Sequence, residues 1–234
     1  MPILDPPRLL IDEDAVLRGQ GADPHAIRQR SPKIVEMAGQ ALQDGTAYLE
    51  PQVLFHRLKV DAVKHERVLL ENGHRLTGSL IANHLGPAEY VVLLLCTVGS
   101  RIDDQIAKVM NEDMLYGLAL DGVGSAAVEA LANAACKHFE DEAAASGLQS
   151  SIPLSPGMVG WDVQYGQPEI FAILDGSEAG VQLSPHAIMH PRKSLTMVIG
   201  FGKEMTFAGK TCDFCAMNET CRYKDHYLAV EPGS

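Results

Sequence analysis

The chain has 234 residues, of which 46% are hydrophobic and 21% charged, which is typical of a globular protein with a sizeable core. Its formal net charge of -11 argues against a nucleic-acid-binding protein, because such proteins carry a basic face. The N-terminal sequence lacks the pattern of a signal peptide, and the longest uncharged apolar run, residues 90–98, is too short to span a bilayer. We therefore expect a cytoplasmic protein without a membrane partner.

Short helices separated by prolines and glycines are predicted for the N-terminal part. Residues 1–13 are predicted to be an irregular, proline-rich lead-in, after which Asp14 is expected to cap a short helix. Pro24 fits the start of the next helix. An amphipathic stripe then continues to Gly45, although Pro32 interrupts it.

Two strand patterns and a hairpin follow. Residues 55–60 alternate between apolar and polar side chains, which predicts a strand with one solvent-exposed face. Asn72 and Gly73 separate two apolar runs and predict a hairpin around a type I′ turn. Ser79 is expected to cap a short helix, and residues 90–98 predict a buried central strand.

The second half of the chain combines one helix-rich stretch with later strands. Residues 113–146 are predicted to be helical, with Leu118 on the apolar face and small residues from Gly122 onward that allow another backbone to approach closely. A loop is predicted over residues 151–160, a short helix over residues 169–174 and a strand over residues 194–201.

The irregular order of helices and strands predicts an α+β fold with a central antiparallel sheet and flanking helices, not a doubly wound sheet. Residues 14–204 are assigned to this domain, and residues 205–234 to a small metal-binding appendage.

Three of the five cysteines lie within ten residues near the C-terminus. Cys212, Cys215 and Cys221 have Cys-x2-Cys-x5-Cys spacing, and Asp225 and His226 follow as candidates for a fourth ligand. Clustered thiolates select soft metals, so an iron–sulfur cluster and a zinc site are both compatible with this pattern. A disulfide framework is less compatible with it, because three thiols cannot all pair.

Residues 151–201 resemble the activation domain of cobalamin-dependent methionine synthase, and still more its small free-standing relatives with cysteine-rich tails. The similarity covers roughly residues 14–225. It rests on the order of motifs along the chain, which are found at residues 97–103, 120–125, 154–157, 169–175, 180–184 and 189–195.

This resemblance implies a C-shaped α+β domain that binds S-adenosylmethionine in a shallow site and helps to return an inactive cob(II)alamin enzyme to service. It implies a corrinoid methyltransferase or another cobalamin protein as the partner, with the cysteine tail as a built-in electron-transfer centre. The matching cofactor-binding positions are Ser155, Pro156, Gly157 and Met158, and Glu129 is a candidate for contacting the amino group of the ligand.

The chain departs from the family's Arg-x-x-x-Gly-Tyr cofactor motif at two positions. Gly157 matches the glycine, but Pro153 stands at the arginine position and Met158 at the tyrosine position. Proline cannot form the forked, charge-assisted hydrogen bonds that arginine makes to a carboxylate. The departure predicts that S-adenosylmethionine binding is weakened or lost.

Two functions therefore follow from the sequence. The first is an accessory protein that activates a corrinoid methyltransferase, with Trp161 as the aromatic anchor for docking. The second is a non-catalytic binding module of the same fold with a structural zinc site.

Overall fold

The computed structural model describes residues 3–6, 8–205 and 210–221, and it confirms the α+β class. The helices are α1 (Glu13–Gly19), α2 (Pro24–Arg30), α3 (Pro32–Gly45), α4 (Ser79–Leu85), α5 (Arg101–Val109), α6 (Met114–Ala145) and α7 (Val163–Phe171). The strands are β1 (Ile3–Leu4), β2 (Gln52–Lys64), β3 (Arg67–Leu70), β4 (Arg75–Thr77), β5 (Tyr90–Thr97), β6 (Gln149–Ser150), β7 (Gln182–Leu183), β8 (Met189–His190) and β9 (Ser194–Gly202).

Seven of the described strands form one curled antiparallel sheet in the order β4-β3-β2-β5-β9-β6, with β1 paired to β2. The long strand β2 pairs with β5 through residues 52–59 and with β3 through residues 60–64. A register shift between Val60 and Ala62 separates the two pairings. Such an irregularity bends a strand, so β2 connects the two parts of the curled sheet.

The central pair of strands, β5 and β9, is buried on both faces. In β5, Leu93 packs into the core beneath α4 and α7, whereas its neighbour Leu94 packs into the core beneath α6. In β9, Val198 packs into the core beneath α4 and α7, and Ile199 packs into the core beneath α6. Because successive side chains point to opposite faces of a strand, this pair holds the helices on both sides of the sheet.

The N-terminal helices pack against α6 at a very close helix crossing. A Cβ atom placed on Gly122 would lie 2.6 Å from the carbonyl oxygen of Val16 in α1, and Gly19 faces Gly122 in the same crossing. The predicted close approach of another backbone to this small-residue stretch is therefore confirmed. Beside the crossing, Val16, Leu17, Ala38, Ala41, Ala119 and Val123 form a separate apolar cluster.

Most predicted elements are present, and their boundaries shift for local reasons. The hairpin around Asn72 and Gly73 is confirmed, with positive φ at both residues. Asp12, not Asp14, caps α1, because its carboxylate accepts a hydrogen bond from the backbone N–H of Ala15 at 2.7 Å. Gly78 precedes α4 as its N-cap, so Ser79 is the first helical residue.

Two predictions for the second half need correction. Helix α7 begins at Val163, earlier than the predicted residue 169, because the carboxylate of Asp162 caps it by accepting a hydrogen bond from the N–H of Gln164. Leu118 is 41% exposed and does not belong to the buried face of α6.

Within the described residues, α6 has the length and apolar composition that a membrane-crossing helix requires. However, 56% of the apolar stretch of this helix is buried inside the protein, where it packs against the sheet and the N-terminal helices. A core helix meets the same criteria, so this property is weak evidence for a membrane span.

The close crossing predicts a large effect of Gly122→Ala. The added methyl group gains helix propensity but collides with backbone atoms of α1, so we expect a net loss of about 1–3 kcal/mol in the free energy of unfolding. Urea denaturation measures this loss. Gly39→Ala in α3 is the matched control, since its methyl group meets only the side chain of Glu13. An equal or smaller loss for Gly122→Ala than for Gly39→Ala would contradict the close packing.

Candidate functional site

A loop at residues 151–161, here called the site loop, runs along the edge of β9 before it turns. Leu154 pairs with Val198 through two backbone hydrogen bonds. The backbone N–H of Ser151 donates to the oxygen of Gly200, and the N–H of Gly200 donates to the hydroxyl of Ser151. The site loop is thus an irregular continuation of the sheet edge. This pairing positions the residues of the cofactor motif that follow.

The predicted binding residues Ser155, Pro156, Gly157 and Met158 form one tight turn of the site loop. The backbone N–H of Met158 donates to the oxygen of Ser155 at 3.3 Å, and that of Gly157 donates to the oxygen of Trp161 at 2.8 Å. Gly157 has a φ of 100°, a conformation that favours glycine. The exposed part of the turn therefore offers backbone groups, not charged side chains, to a ligand.

Met158 points back into its own turn. Its sulfur lies 3.2 Å from the backbone nitrogen of Ser155, and its side chain packs against the core between the sheet and α7. Since the thioether cannot donate a hydrogen bond, this position contributes packing, whereas a tyrosine would contribute a donor.

Trp161 is fully buried, so the prediction that it anchors a partner is wrong. Its exposed fraction is 0%, and its indole ring packs against the backbone of Gly78 and Gly166. A Cβ atom on Gly166 would lie 2.5 Å from the indole nitrogen. Trp161 therefore holds the end of the site loop against α4 and α7, and the exposed aromatic side chain beside it is Tyr165.

Glu129 lies on the face of α6 that packs against β9. One turn before it, Ser125 contacts Lys193, and two turns after it, the thiol of Cys136 lies 3.0 Å from the sulfur of Met197. Positions that differ by four and seven residues share one helix face, so Glu129 faces β9 between these two contacts. The sequence indicates Glu129 as a candidate binding residue, but it does not indicate that this residue faces β9.

Burial raises the pKa of Glu129 to about 7. In the part of the chain that the structure describes, this carboxyl group has no hydrogen-bond or ion-pair partner. An unpaired, desolvated carboxylate favours a cationic partner, because a nearby positive charge would restore the stability of its ionised form. The position is therefore suited to the amino group of a ligand.

Lys193 does not supply the positive charge that is missing at Pro153. Its ammonium group lies 2.7 Å from the carboxylate of Asp121 and 2.9 Å from the hydroxyl of Ser125, and its side chain is 12% exposed. Gly124 leaves room for the lysine stem against α6. Because two partners already hold the ammonium group, it serves the packing of β9 on α6.

The site loop and Glu129 both lie next to β9, but they approach it from different sides, since Met197 belongs to the core beneath α6 and Val198 to the core on the opposite face. Helix α6 contacts this strand at Met197, and the site loop contacts it at Val198, the next residue, from the open edge. The two groups of predicted binding residues thus border the same segment of β9. Neither the chain order nor the sequence spacing of these residues indicates this arrangement.

The cysteine segment at residues 210–221 has irregular local structure around a short 3-10 helix, Thr211–Phe214. The backbone N–H of Cys215 donates to the oxygen of Cys212 at 3.2 Å, and that of Cys221 donates to Met217 at 2.7 Å. Among the described residues, no group of three or more His, Cys, Asp or Glu side chains is arranged to hold a metal ion.

Asp225 and His226, the candidate fourth ligands, lie outside the described residues. The metal site therefore stays a prediction from the spacing of Cys212, Cys215 and Cys221. Their thiols are partly buried, unlike those of Cys96 and Cys136, which lie in the core.

A separate open cavity of about 690 Å³ lies between α5, the first turns of α6 and β8. Its wall includes Asp103, Asp104, Asp121, His190 and Arg192. The carboxylate of Asp103 accepts a hydrogen bond from the backbone N–H of Arg192 at 2.6 Å, which closes one side of the cavity. Sequence reasoning did not find it, although Asp103, Asp121 and Arg192 lie in the family-like motifs.

Comparison with known proteins identifies a fold and not a family. No family model matches the chain, and no curated protein matches it. Among solved structures, a crystal structure of the MetH reactivation domain bound to AdoHcy is similar, with a TM-score of 0.62 and 12% sequence identity. The similarity covers 80% of this chain and 71% of that one. The chain therefore has the fold of the reactivation domain.

The raised pKa of Glu129 predicts a stability that depends on pH. The folded protein holds a proton on this carboxyl group up to about pH 7, whereas the ordinary value is 4.5. Folding is therefore favoured more at low pH, and this contribution is lost as the pH rises between these two values. Above pH 7, Glu129→Gln should raise the free energy of unfolding by about 1–3 kcal/mol. This range is lower than the full pKa difference implies, because Glu129 is partly exposed and solvent screens its charge.

Urea denaturation of both proteins at a series of pH values measures this difference. Glu36→Gln, at an exposed position of α3, is the matched control. A difference between Glu129→Gln and the wild type that stays constant from acid to neutral pH would contradict the assigned environment.

Proposed function

We propose that this chain is an accessory protein in the activation of a corrinoid methyltransferase, with a weakened site for an S-adenosyl compound. The observation that carries the proposal is the reactivation-domain fold over 80% of the chain, combined with the unpaired Glu129 on the helix that packs against β9, the strand that the site loop also contacts. Two of the sequence motifs that resemble the activation domain, residues 120–125 and 154–157, lie in α6 and in the site loop. A cytoplasmic location fits cysteines that form no disulfide bond among the described residues, such as Cys212 and Cys215.

The proposed ligand site combines one partly buried carboxylate with backbone groups. Glu129 would bind the amino group of the ligand, while the turn at Ser155 and Gly157 would hold its adenosine through backbone N–H and C=O groups. Pro153 leaves the ligand carboxylate without a charged partner. The loss of one charged hydrogen bond costs about 1.5–3 kcal/mol, which corresponds to a roughly 10- to 150-fold loss of affinity.

Docking on the corrinoid partner would use exposed apolar residues at the end of the site loop and in the first turn of α7. Tyr165 is 68% exposed and Val159 is 60% exposed, and Val163 lies between them in the chain. Tyrosine buries a large rigid area when a partner covers it. The net charge of -11 favours a partner with a basic surface.

The electron-transfer part of the proposal rests on the donor set of the cysteine segment. Cys212, Cys215 and Cys221 would hold an iron–sulfur cluster, with a fourth ligand that the sequence leaves open. Such a group supplies one-electron redox chemistry when it is bound. The protein residues would hold it near the site loop, because the backbone N–H of Val159 donates to the oxygen of Phe214 at 2.9 Å.

A structural zinc site in a non-catalytic module of the same fold is the second candidate. The thiols and their spacing suit zinc as well. This candidate is favoured by the loss of both charged and donor side chains at Pro153 and Met158, since a module that no longer binds a cofactor does not need them.

Restoring the missing charge should tighten ligand binding. Titration calorimetry of the unmodified protein with S-adenosylmethionine should give a dissociation constant weaker than about 100 μM, and Pro153→Arg should tighten it by about 10-fold or more. Pro153→Ala is the matched control, since it removes the proline without adding a charge. Tight binding by the unmodified protein, or equal effects of the two variants, would contradict the role of this position.

Metal binding by the cysteine segment is tested by measuring the metal and sulfide content of the purified protein. After anaerobic purification, the full chain should contain iron and sulfide, and Cys212→Ser, Cys215→Ser and Cys221→Ser should each lower the metal content sharply. Cys136→Ala, in the core, should leave it unchanged. A colourless protein with zinc would favour the structural module, and unchanged metal content in all three serine variants would exclude the site.

Activation is tested directly with a cob(II)alamin protein and a low-potential electron donor. The chain should accelerate the rise of cob(I)alamin absorbance, and added salt should slow this rise, because the proposed association is electrostatic in part. Tyr165→Ala should slow it, whereas Met114→Ala, an exposed residue at the start of α6, should not. No acceleration by the wild-type chain would leave only the binding-module function.

A further inference from the structure

Phe214 connects the cysteine segment to the site loop. Its backbone oxygen accepts a hydrogen bond from the N–H of Val159, and its ring packs edge-on against His84 with 4.7 Å between ring centroids. The side chain is partly buried against the same core cluster that contains Trp161 and packs Met158. One residue of the cysteine segment therefore contacts both the turn of the site loop and α4.

The anchored residue lies between two of the thiols. Cys212 precedes Phe214 by two residues and Cys215 follows it directly, while the backbone bond from Cys215 to Cys212 closes the turn that carries the ring. In residues 210–221, the carboxylate of Asp213 also accepts a hydrogen bond from the N–H of Lys210. A change at both thiols, such as ligation of one metal ion or alkylation, therefore acts on the same turn of backbone that holds Phe214.

Few other hydrogen bonds connect residues 155–160 to the rest of the described chain, although the buried ring of Trp161 also holds the end of the site loop. Gly160 accepts long hydrogen bonds from the N–H of Leu80 at 3.3 Å and from the hydroxyl of Ser79 at 3.5 Å. Val159 itself is exposed. The bond from Val159 to Phe214, at 2.9 Å, is shorter than both of these, and it adds to the support that Leu154 and Trp161 give the site loop.

We infer that Phe214 is a positioning residue, through which the chemical state of Cys212 and Cys215 sets the conformation of the site loop. This inference rests on the proposed function for the identity of the ligand, but not for the contact itself. Coupling between two sites is reciprocal, so ligand binding at the site loop must alter the reactivity of the thiols. Such couplings change an affinity by about fivefold or more.

The fluorescence of Trp161 reports on this coupling without any ligand, because it is the only tryptophan of the chain. In the wild-type protein its burial should give weak quenching by acrylamide. Alkylation of the native protein with N-ethylmaleimide should raise the quenching constant several-fold, since Cys96 and Cys136 are buried and the reagent reaches the cysteine segment. A variant with serine at Cys212, Cys215 and Cys221 should not respond.

Phe214→Ala should have high quenching before alkylation and show no further increase afterwards. Phe214→Tyr, which keeps the ring, should behave like the wild type, and Met217→Ala is the control for an exposed residue of the same segment. If Phe214→Ala fails to fold by circular dichroism, Phe214→Leu is measured in the same way. An equal response to alkylation in the wild type and the Phe214 variant would overturn the inference.

A measurement of ligand binding distinguishes a failure of this inference from a failure of the proposed function. With AdoHcy as the probe, alkylation of the wild type should weaken binding by about fivefold, and Phe214→Ala should remove this dependence. If AdoHcy does not bind at all, the proposed ligand is wrong, while the Trp161 response still decides whether Phe214 couples the two segments. If AdoHcy binds equally well before and after alkylation, the coupling is absent.

Discussion

The antiparallel pairing of β5 with β9 is the constraint on which the other parts of the protein depend. Both strands are buried on both faces, so each residue of the pair fixes the position of a helix or a loop on one side. Helix α6 covers one face, and α4 and α7 cover the other. The site loop then adds to the free edge of β9 through Leu154.

This arrangement accounts for the unusual environment of Glu129. The face of the 32-residue helix α6 that packs on this largely apolar strand pair has few positions where a carboxylate can reach water. Burial of the charged form is costly without a partner, and a protein that keeps such a group sacrifices stability at neutral pH. The cost is understandable where the same group binds a cation, which links the fold of α6 to the proposed ligand site.

The chain combines a familiar fold with changed site chemistry. Compared with the cofactor motif that the sequence resembles, Pro153 and Met158 lack a charge and a hydrogen-bond donor, while Gly157 lies in a tight backbone turn. Trp161 is part of the core between α4 and α7, and Phe214 brings the cysteine segment against the site loop. In this protein, then, the cysteine segment contacts the site loop, and fold similarity alone would not indicate that contact.

The sequence by itself determined the α+β class, the central strand, the hairpin at Asn72 and Gly73 and the close approach to Gly122, because these follow from local periodicity and residue size. It also identified Glu129 and the turn at Gly157 as candidates. Only the tertiary structure decided that these two border one strand, that Trp161 is buried and that Phe214 supports the site loop. These features depend on contacts between residues far apart in the chain, and local patterns carry no information about which distant segments pack together.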